Sequence, residues 1–312
     1  MTHPQKVVVI GAGHVGAAAA YALMLRGLFS EIVLIDSDPA LAEAEAADIA
    51  DADVLARPTR IWAGTYADTA DAGIAVITAG AATHGSETRL SVAGRSATIV
   101  AACVDGLAGA GFAGVILAAA NPVDLMSQIA FRRAGLPASR VIGTGTLLDS
   151  LRLRQSLAAR LNVAAGAIEG FVLGEHGDSE VAAFSTVRIG GVALDQFGPE
   201  AAGIDRATVA AEVREAGYRL IAGKGYTSFG IATAIVRICE AIVRDEHTVL
   251  PVSSRLHGEY GLEDVYLSVP CIVGARGVER VLTPALSEVE VQALAASARK
   301  LREAMAALDA GH

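Results

Sequence analysis

The apolar run Lys6-Val7-Val8-Val9-Ile10 leads straight into Gly11-Ala12-Gly13-His14-Val15-Gly16, and a second run, Glu31-Ile32-Val33-Leu34-Ile35, closes on Asp36, twenty residues after Gly16. Runs of this length without alternation mark strands buried on both faces. A glycine-rich turn and a helical stretch over about 14–26 join them, which commits this part of the chain to βαβ units and a parallel sheet. The alternation continues with an alanine-rich helix over 39–55 that carries proline in its first turn. Further buried strands are predicted over 74–78 and 115–118, with a helix over 87–109 between them. After about Gly143 the pattern changes. A helix is predicted over 147–161, antiparallel strands within 168–197, helices over about 205–222 and 229–244, more strands to about 281, and a closing helix over 287–308. The fold class read from this is α/β. A doubly wound parallel sheet of Rossmann type is expected over residues 1–143, and an α+β substrate domain over 144–312.

The chain of 312 residues can bury a sizeable core without disulfides or structural metal. Hydrophobic residues make up 53% of it, but much of that is alanine. The longest weakly polar run, 108–120, is broken by glycines and falls well short of the ~20 residues a bilayer span needs. Met1 to Lys6 reads directly into a strand and offers no secretory core, so the cytoplasm is the expected compartment. Cys103, Cys239 and Cys271 are scattered without a CxxC pair, as expected of buried reduced thiols. The net charge of −9 disfavours nucleic acid and anionic membrane surfaces as partners. A small anionic substrate would need locally placed arginines. The seven histidines are dispersed, with no HxxxH or HExxH pattern, and no metal is expected.

GxGxxG is a weak signal alone; between a strand and a helix, with an acid ending the next strand, it is a strong one. Gly11 permits the tight turn, Gly13 lets backbone approach a pyrophosphate at the helix N-terminus, and Gly16 allows the helix to pack closely on the strand. Asp36 can accept hydrogen bonds from a ribose diol and would repel a 2′-phosphate, so NAD is expected rather than NADP.

A second constellation lies downstream. His176 sits in Gly174-Glu175-His176-Gly177-Asp178-Ser179, and Asp149 stands twenty-seven residues before it, with Arg152 one helical turn further on. A 2-hydroxy acid cannot lose hydride from C2 until a base takes its hydroxyl proton, and imidazole titrates in the right range. A lone histidine or a lone helix acid would be read as a surface residue. The three together are read as a site.

These residues carry a resemblance. The chain resembles the L-lactate/malate dehydrogenase family over nearly its whole length, and more closely its lactate branch. The matching segments keep the family's order and spacing: Gly11 to Gly16, Ala79-Gly80, Ser86-Glu87-Thr88-Arg89-Leu90, Asn121-Pro122-Val123-Asp124, Gly143 to Ser150, Gly174 to Ser179, and Lys224-Gly225-Tyr226-Thr227-Ser228. The resemblance implies that His176 is the acid/base, Asp149 its partner carboxylate, and Arg152 the two-pronged grip on the substrate carboxylate. It implies that Arg89 polarises the C2 carbonyl from a closing loop, and that Asn121 and Thr227 line the substrate site. For the cofactor it implies His14, Val15, Ala79, Gly80 and Asn121 beside the glycines, with Ile231 against the nicotinamide. It also implies a homo-oligomer, a tetramer before a dimer.

Two departures from the family pattern bear on function. Thr83 stands where lactate enzymes typically carry glutamine and malate enzymes arginine, and His84-Gly85-Ser86 replaces the usual Lys-Pro-Gly. Threonine lacks the charge to pair with oxaloacetate's second carboxylate, so malate is disfavoured, while longer 2-oxo acids gain room. Arg154 matches an arginine that binds fructose 1,6-bisphosphate in many bacterial members, but Glu169 stands where the accompanying histidine should be, which disfavours activation by that sugar. The leading expectation is an NAD-dependent L-lactate dehydrogenase. The alternatives are a dehydrogenase for malate or for larger L-2-hydroxy acids and, from another class, a nucleotide-binding module without catalysis.

Overall fold

The computed structural model describes residues 5–81 and 89–310, with side chains over 5–81 and 92–310. Thr83 and His84, and the side chain of Arg89, lie outside the described residues. The first half runs β1 (Lys6–Ile10), α1 (His14–Arg26), β2 (Glu31–Ile35), α2 (Pro39–Asp53), β3 (Arg60–Ala63), β4 (Ile74–Ile77), α3 (Arg89–Gly109), β5 (Val115–Ala118), α4 (Val123–Ala134) and β6 (Val141–Gly143). The six strands are parallel and stand in the order β3-β2-β1-β4-β5-β6. Val7, Val8 and Val9 are fully buried, which is why the run shows no alternation. The order reverses between β1 and β4, and in such sheets the crevice beyond the strand ends at the reversal is where ligands bind.

The second half runs α5 (Leu147–Leu161), β7 (Ile168–Leu173), β8 (Val181–Ile189), β9 (Val192–Ala193), α6 (Pro199–Ala202), α7 (Arg206–Lys224), α8 (Phe229–Val243), β10 (Thr248–His257), β11 (Glu263–Gly274), β12 (Gly277–Val281) and α9 (Glu288–Ala310). β7, β8 and β9 make a separate antiparallel sheet. The long hairpin β10–β11 and β12 do not. β10 pairs antiparallel with β6 at Ser253 and Gly143, so one mixed sheet of nine strands runs across residue 143. The hairpin covers what would otherwise be an open edge of the parallel sheet.

Several elements go beyond the sequence reading. β3 is an edge strand with no fully buried residue, and β6 is three residues long, so neither shows as an apolar run. α2 stops at Asp53, leaving Leu55 94% exposed. Within α3 the window Val92–Gly109 is long and apolar enough to cross a membrane by length and composition alone. Here its Val100, Val104 and Leu107 are buried in the core. A second core joins α5 to the small sheet through Leu153, Leu157, Val172, Val187 and Ile189, which fixes the helix carrying Asp149 against the strand that leads to His176.

Candidate active site

The glycine loop leaves the end of β1 at the sheet's reversal point. Gly11 has φ +104°, and a Cβ there would meet the Ala79 nitrogen at 2.5 Å, so both conformation and packing require glycine. A Cβ on Gly16 would stand 1.7 Å from the Gly11 carbonyl oxygen, so helix and turn touch directly. Gly13 differs. Its backbone, at φ −67° and ψ −174°, suits any residue, and a Cβ there would meet nothing within 4 Å. Neither fold nor packing asks for glycine at 13, so open space over the N-terminus of α1 is the feature to explain, and a dinucleotide's pyrophosphate fits it. Asp36, just beyond β2, accepts from the Ala12 N–H at 2.6 Å and from the Asp38 N–H at 2.9 Å. Its carboxylate is thereby fixed beside the loop. Ala79, beyond the end of β4, closes the other side of Gly11, and Gly80 follows it, close to Ala120 and Ser96.

The second constellation is brought together around one buried carboxylate. Asp149, in the first turn of α5, is 1% exposed. Its Oδ2 lies 2.6 Å from His176 Nδ1, and its Oδ1 accepts from Arg152 Nη1 at 2.9 Å. Burial alone would raise the Asp149 pKa, but the His176 and Arg152 charges outweigh it and hold the carboxyl below its usual range. The Asp149 charge in turn raises His176 to about 9 against the opposing effect of burial. The ring is 28% exposed, so with Nδ1 committed to Asp149 the Nε2 edge is left to exchange a proton with a ligand.

The backbone of this histidine is also held. Asp124, in the first turn of α4, is buried and accepts from the His176 N–H at 2.8 Å. Ser253 and Ser268 on β10 and β11 donate to its other oxygen at 2.6 and 3.2 Å. Burial pushes the Asp124 carboxyl up to about 6, with the serine and His176 hydrogen bonds opposing. Asp124 thus links the first half of the chain and the strands of the second to the histidine loop. It stands in the Asn121-Pro122-Val123-Asp124 motif, but no spacing rule pointed to a partner fifty-two residues away.

Asn121 is exposed at the start of α4, and its bond to Pro122 is cis. Thr227 is half-buried between α7 and α8, and Ile231 packs on the core from the first turn of α8. One contact ties this segment to the cofactor loop: the Tyr226 ring stacks on His14 with centroids 3.9 Å apart and planes 15° from parallel. Arg154 takes no part in the His176 cluster; its Nε donates to the Gly170 carbonyl at 3.1 Å, and its guanidinium faces the Phe171 ring. Glu180, unremarked in the sequence, is buried beside Asp149 and His176. Among the described residues that trio and Asp245, His247 and Glu279 are groups whose donor atoms converge. A cation at the first would face the Arg152 guanidinium already bound to Asp149.

Comparison with known proteins gives the same reading across the chain. Residues 5–143 match the family model described as lactate/malate dehydrogenase, NAD binding domain, and residues 146–310 match the lactate/malate dehydrogenase, alpha/beta C-terminal domain. An L-lactate dehydrogenase of Thermus aquaticus is 44% identical over 307 residues, covering 97% of this chain and 99% of the relative. One from Treponema denticola is 42% identical, covering 96% and 97%. Among solved structures, the minor L-lactate dehydrogenase of Enterococcus mundtii in a ligand-bound form superposes with a TM-score of 0.94 at 37% identity, covering 97% of this chain and 98% of its own. MGS-M5, a lactate dehydrogenase from a Medee basin deep-sea metagenome library, does so with a TM-score of 0.96 at 37% identity, covering 99% and 100%.

Proposed function

The chain belongs to the lactate/malate dehydrogenase family, and from that premise we propose how its residues interconvert pyruvate and L-lactate. It is an NAD-dependent oxidoreductase. The observation that carries the residue assignment is the His176–Asp149–Arg152 chain of contacts, in which one buried carboxylate orients both an imidazole and a guanidinium.

Residues 1–143 form the cofactor half and 144–312 the substrate half. The loop Gly11 to Gly16, with His14 and Val15, receives the pyrophosphate, Asp36 the ribose diol, and Ala79, Gly80, Asn121 and Ile231 the remainder. When bound, the nicotinamide supplies or accepts the hydride at C2. Arg152 holds the substrate carboxylate by its planar fork. Protonated His176 donates from Nε2 to the C2 oxygen of pyruvate as the hydroxyl forms, and Asp149 stabilises the imidazolium beforehand and fixes the tautomer afterwards. In the reverse direction neutral His176 takes the hydroxyl proton. Asn121 and Thr227 line the substrate site, and Arg89, at the first residue of α3 rather than in a loop, is assigned by the family pattern to polarising the carbonyl. The family pattern assigns the substrate's side chain to Thr83, a residue without charge, which disfavours oxaloacetate and leaves room for larger 2-oxo acids as the second reading.

We place the protein in the cytoplasm, in a fermentative or glycolytic role, as a homotetramer before a dimer. Its three cysteines are free and buried, which suits a reducing compartment. Apolar side chains exposed on α1, α5, α7 and α8, including Leu25, Leu151, Ile221 and Phe229, support an assembled form. The test is NADH oxidation with pyruvate, oxaloacetate, 2-oxobutyrate, 2-oxoisocaproate and phenylpyruvate. Pyruvate is expected to give the highest kcat/KM. A higher value for a bulkier acid would transfer the assignment to that substrate, and no oxidation with any of the five would remove it.

A further inference from the structure

Glu180 stands at the entrance to β8, four residues after His176. It is 7% exposed, and its Oε1 is buried with no hydrogen-bond partner among the described residues. Donor atoms of Glu180, Asp149 and His176 all lie within 4.8 Å of one another. A buried, unpartnered carboxylate oxygen beside an ionised carboxylate is costly in its charged form. The proposed reaction has no use for Glu180, yet the side chain lies against the two groups that perform it.

We propose that Glu180 is a positioning residue that keeps its proton while substrate binds, so that the pocket around Arg152 and His176 presents a net positive charge to an anionic 2-oxo acid, and that ionisation of Glu180 weakens that binding. The inference rests on the dehydrogenase reading above and acts through Asp149, His176 and Arg152. The groups facing Glu180 are Asp149 and Arg152 from α5, His176 from its own loop, and Arg214 from α7. Burial comes first and the Asp149 charge second in raising it, while His176, Arg214 and Arg152 oppose; the outcome is about 8. His176 is itself faced by Asp149, Asp124 and Glu180 and titrates higher, at about 9. The sign follows. Below about 8 the cluster holds Asp149 ionised, His176 protonated and Glu180 neutral. Between the two midpoints Glu180 adds a negative charge before His176 has lost its positive one. Substrate affinity therefore falls at a pH where the catalytic acid is still protonated.

The experiment is oxamate binding to the enzyme–NADH complex at pH 7 and pH 8.5, in wild type, Glu180→Gln and Glu180→Asp. With a midpoint near 8, about a quarter of the enzyme holds neutral Glu180 at pH 8.5, so wild-type Kd rises roughly fourfold. Glu180→Gln should rise less than about twofold, and Glu180→Asp should restore the slope. Equal slopes in wild type and Glu180→Gln, in an enzyme that still turns over pyruvate, overturn the proposal and leave the dehydrogenase reading standing. A second measurement is independent of turnover. The infrared difference between pH 7 and pH 9.5 should show a protonated-carboxyl C=O band in wild type that is missing in Glu180→Gln. Persistence of that band in the variant, or its absence in wild type, overturns the assignment whatever the substrate proves to be.

Discussion

His176 Nδ1 stands 2.6 Å from Asp149 Oδ2, and Asp149 is 1% exposed where the ring is 28% exposed. A buried anion therefore sits behind a partly open imidazole and holds its pKa at about 9, above the ordinary 6.5. On the proposed mechanism the protonated ring donates to the 2-oxo acid, so turnover at saturating pyruvate should hold up below about 9 and fall above it. L-Lactate oxidation, which needs the neutral ring, should rise through the same range. Asp149→Asn removes the first cause of the shift. The alkaline limb of kcat at saturating pyruvate is expected to move acidward toward 6.5, with turnover at pH 7 lower by ~10²–10⁴-fold. A limb that stays put in the variant would show that the titrating group is not this pair.

The glycine loop separates two requirements that the motif runs together. Gly16→Ala places a methyl 1.7 Å from the Gly11 carbonyl oxygen and should destabilise the fold by more than the ~3 kcal/mol of an ordinary bad substitution. Gly13→Ala meets open space and an undemanding backbone, and should leave stability within ~0.5 kcal/mol while raising the Kd for NADH. Thermal melts and NADH titrations on the two variants check this. If Gly13→Ala bound NADH as wild type does, the pyrophosphate would not lie over residue 13.

We propose that Asp36 governs the choice of cofactor. Both of its oxygens are tied to backbone N–H groups, of Ala12 and Asp38, so its charge cannot swing away from a 2′-phosphate. A charge-assisted hydrogen bond to the ribose diol is worth ~1.5–3 kcal/mol, or roughly ten- to a hundredfold. Wild type should prefer NADH to NADPH by at least that much. A small neutral residue at 36 with an arginine nearby should narrow the ratio. Comparable kcat/KM for the two cofactors in wild type would remove Asp36 from this role.

Fructose 1,6-bisphosphate should change the pyruvate KM by far less than the ~5–150-fold of typical allosteric coupling. Arg154 is half-buried, donates to the Gly170 carbonyl and faces the Phe171 ring. Glu169, opposite Arg188 in the β7–β8 ladder, puts a carboxylate near it. Strong activation at millimolar sugar bisphosphate would mean that other groups bind the phosphates.

Much of this site was legible because the chemistry sits in short local patterns. The run from Lys6 to Gly16, the acid at 36, and the one-turn spacing of Asp149 and Arg152 all lie within a single element or one connection. What escaped was made by contacts between distant segments. Asp124 reaches the His176 N–H across fifty-two residues, and in the sequence it is an ordinary first-turn acid. Glu180 is an acid in a loop of acids until the fold buries it. The Tyr226–His14 stack joins two distant segments that share no pattern. In the fold, β3 lacked a buried run because it is an edge strand, and the pairing of β10 with β6 rests on a single register pair, Ser253 with Gly143, which no periodicity announces.

We propose that Thr83 decides between substrates. The matched family pattern puts it over the substrate's side chain when the loop closes. Arginine there would set a cation where oxaloacetate's second carboxylate lies. A charge-assisted contact of that kind is worth ~1.5–3 kcal/mol, or roughly ten- to a hundredfold in relative kcat/KM. The same change should hurt pyruvate, whose methyl group would face an unpaired charge. Thr83→Arg is therefore expected to shift preference toward oxaloacetate by at least about tenfold, and Thr83→Gln to raise preference for pyruvate over bulkier 2-oxo acids. Ratios of kcat/KM across the same five acids measure both. If neither substitution moves its ratio by more than about twofold, well below the expected range, Thr83 does not line the pocket. The loop then has another register, and His84 is the next residue to replace.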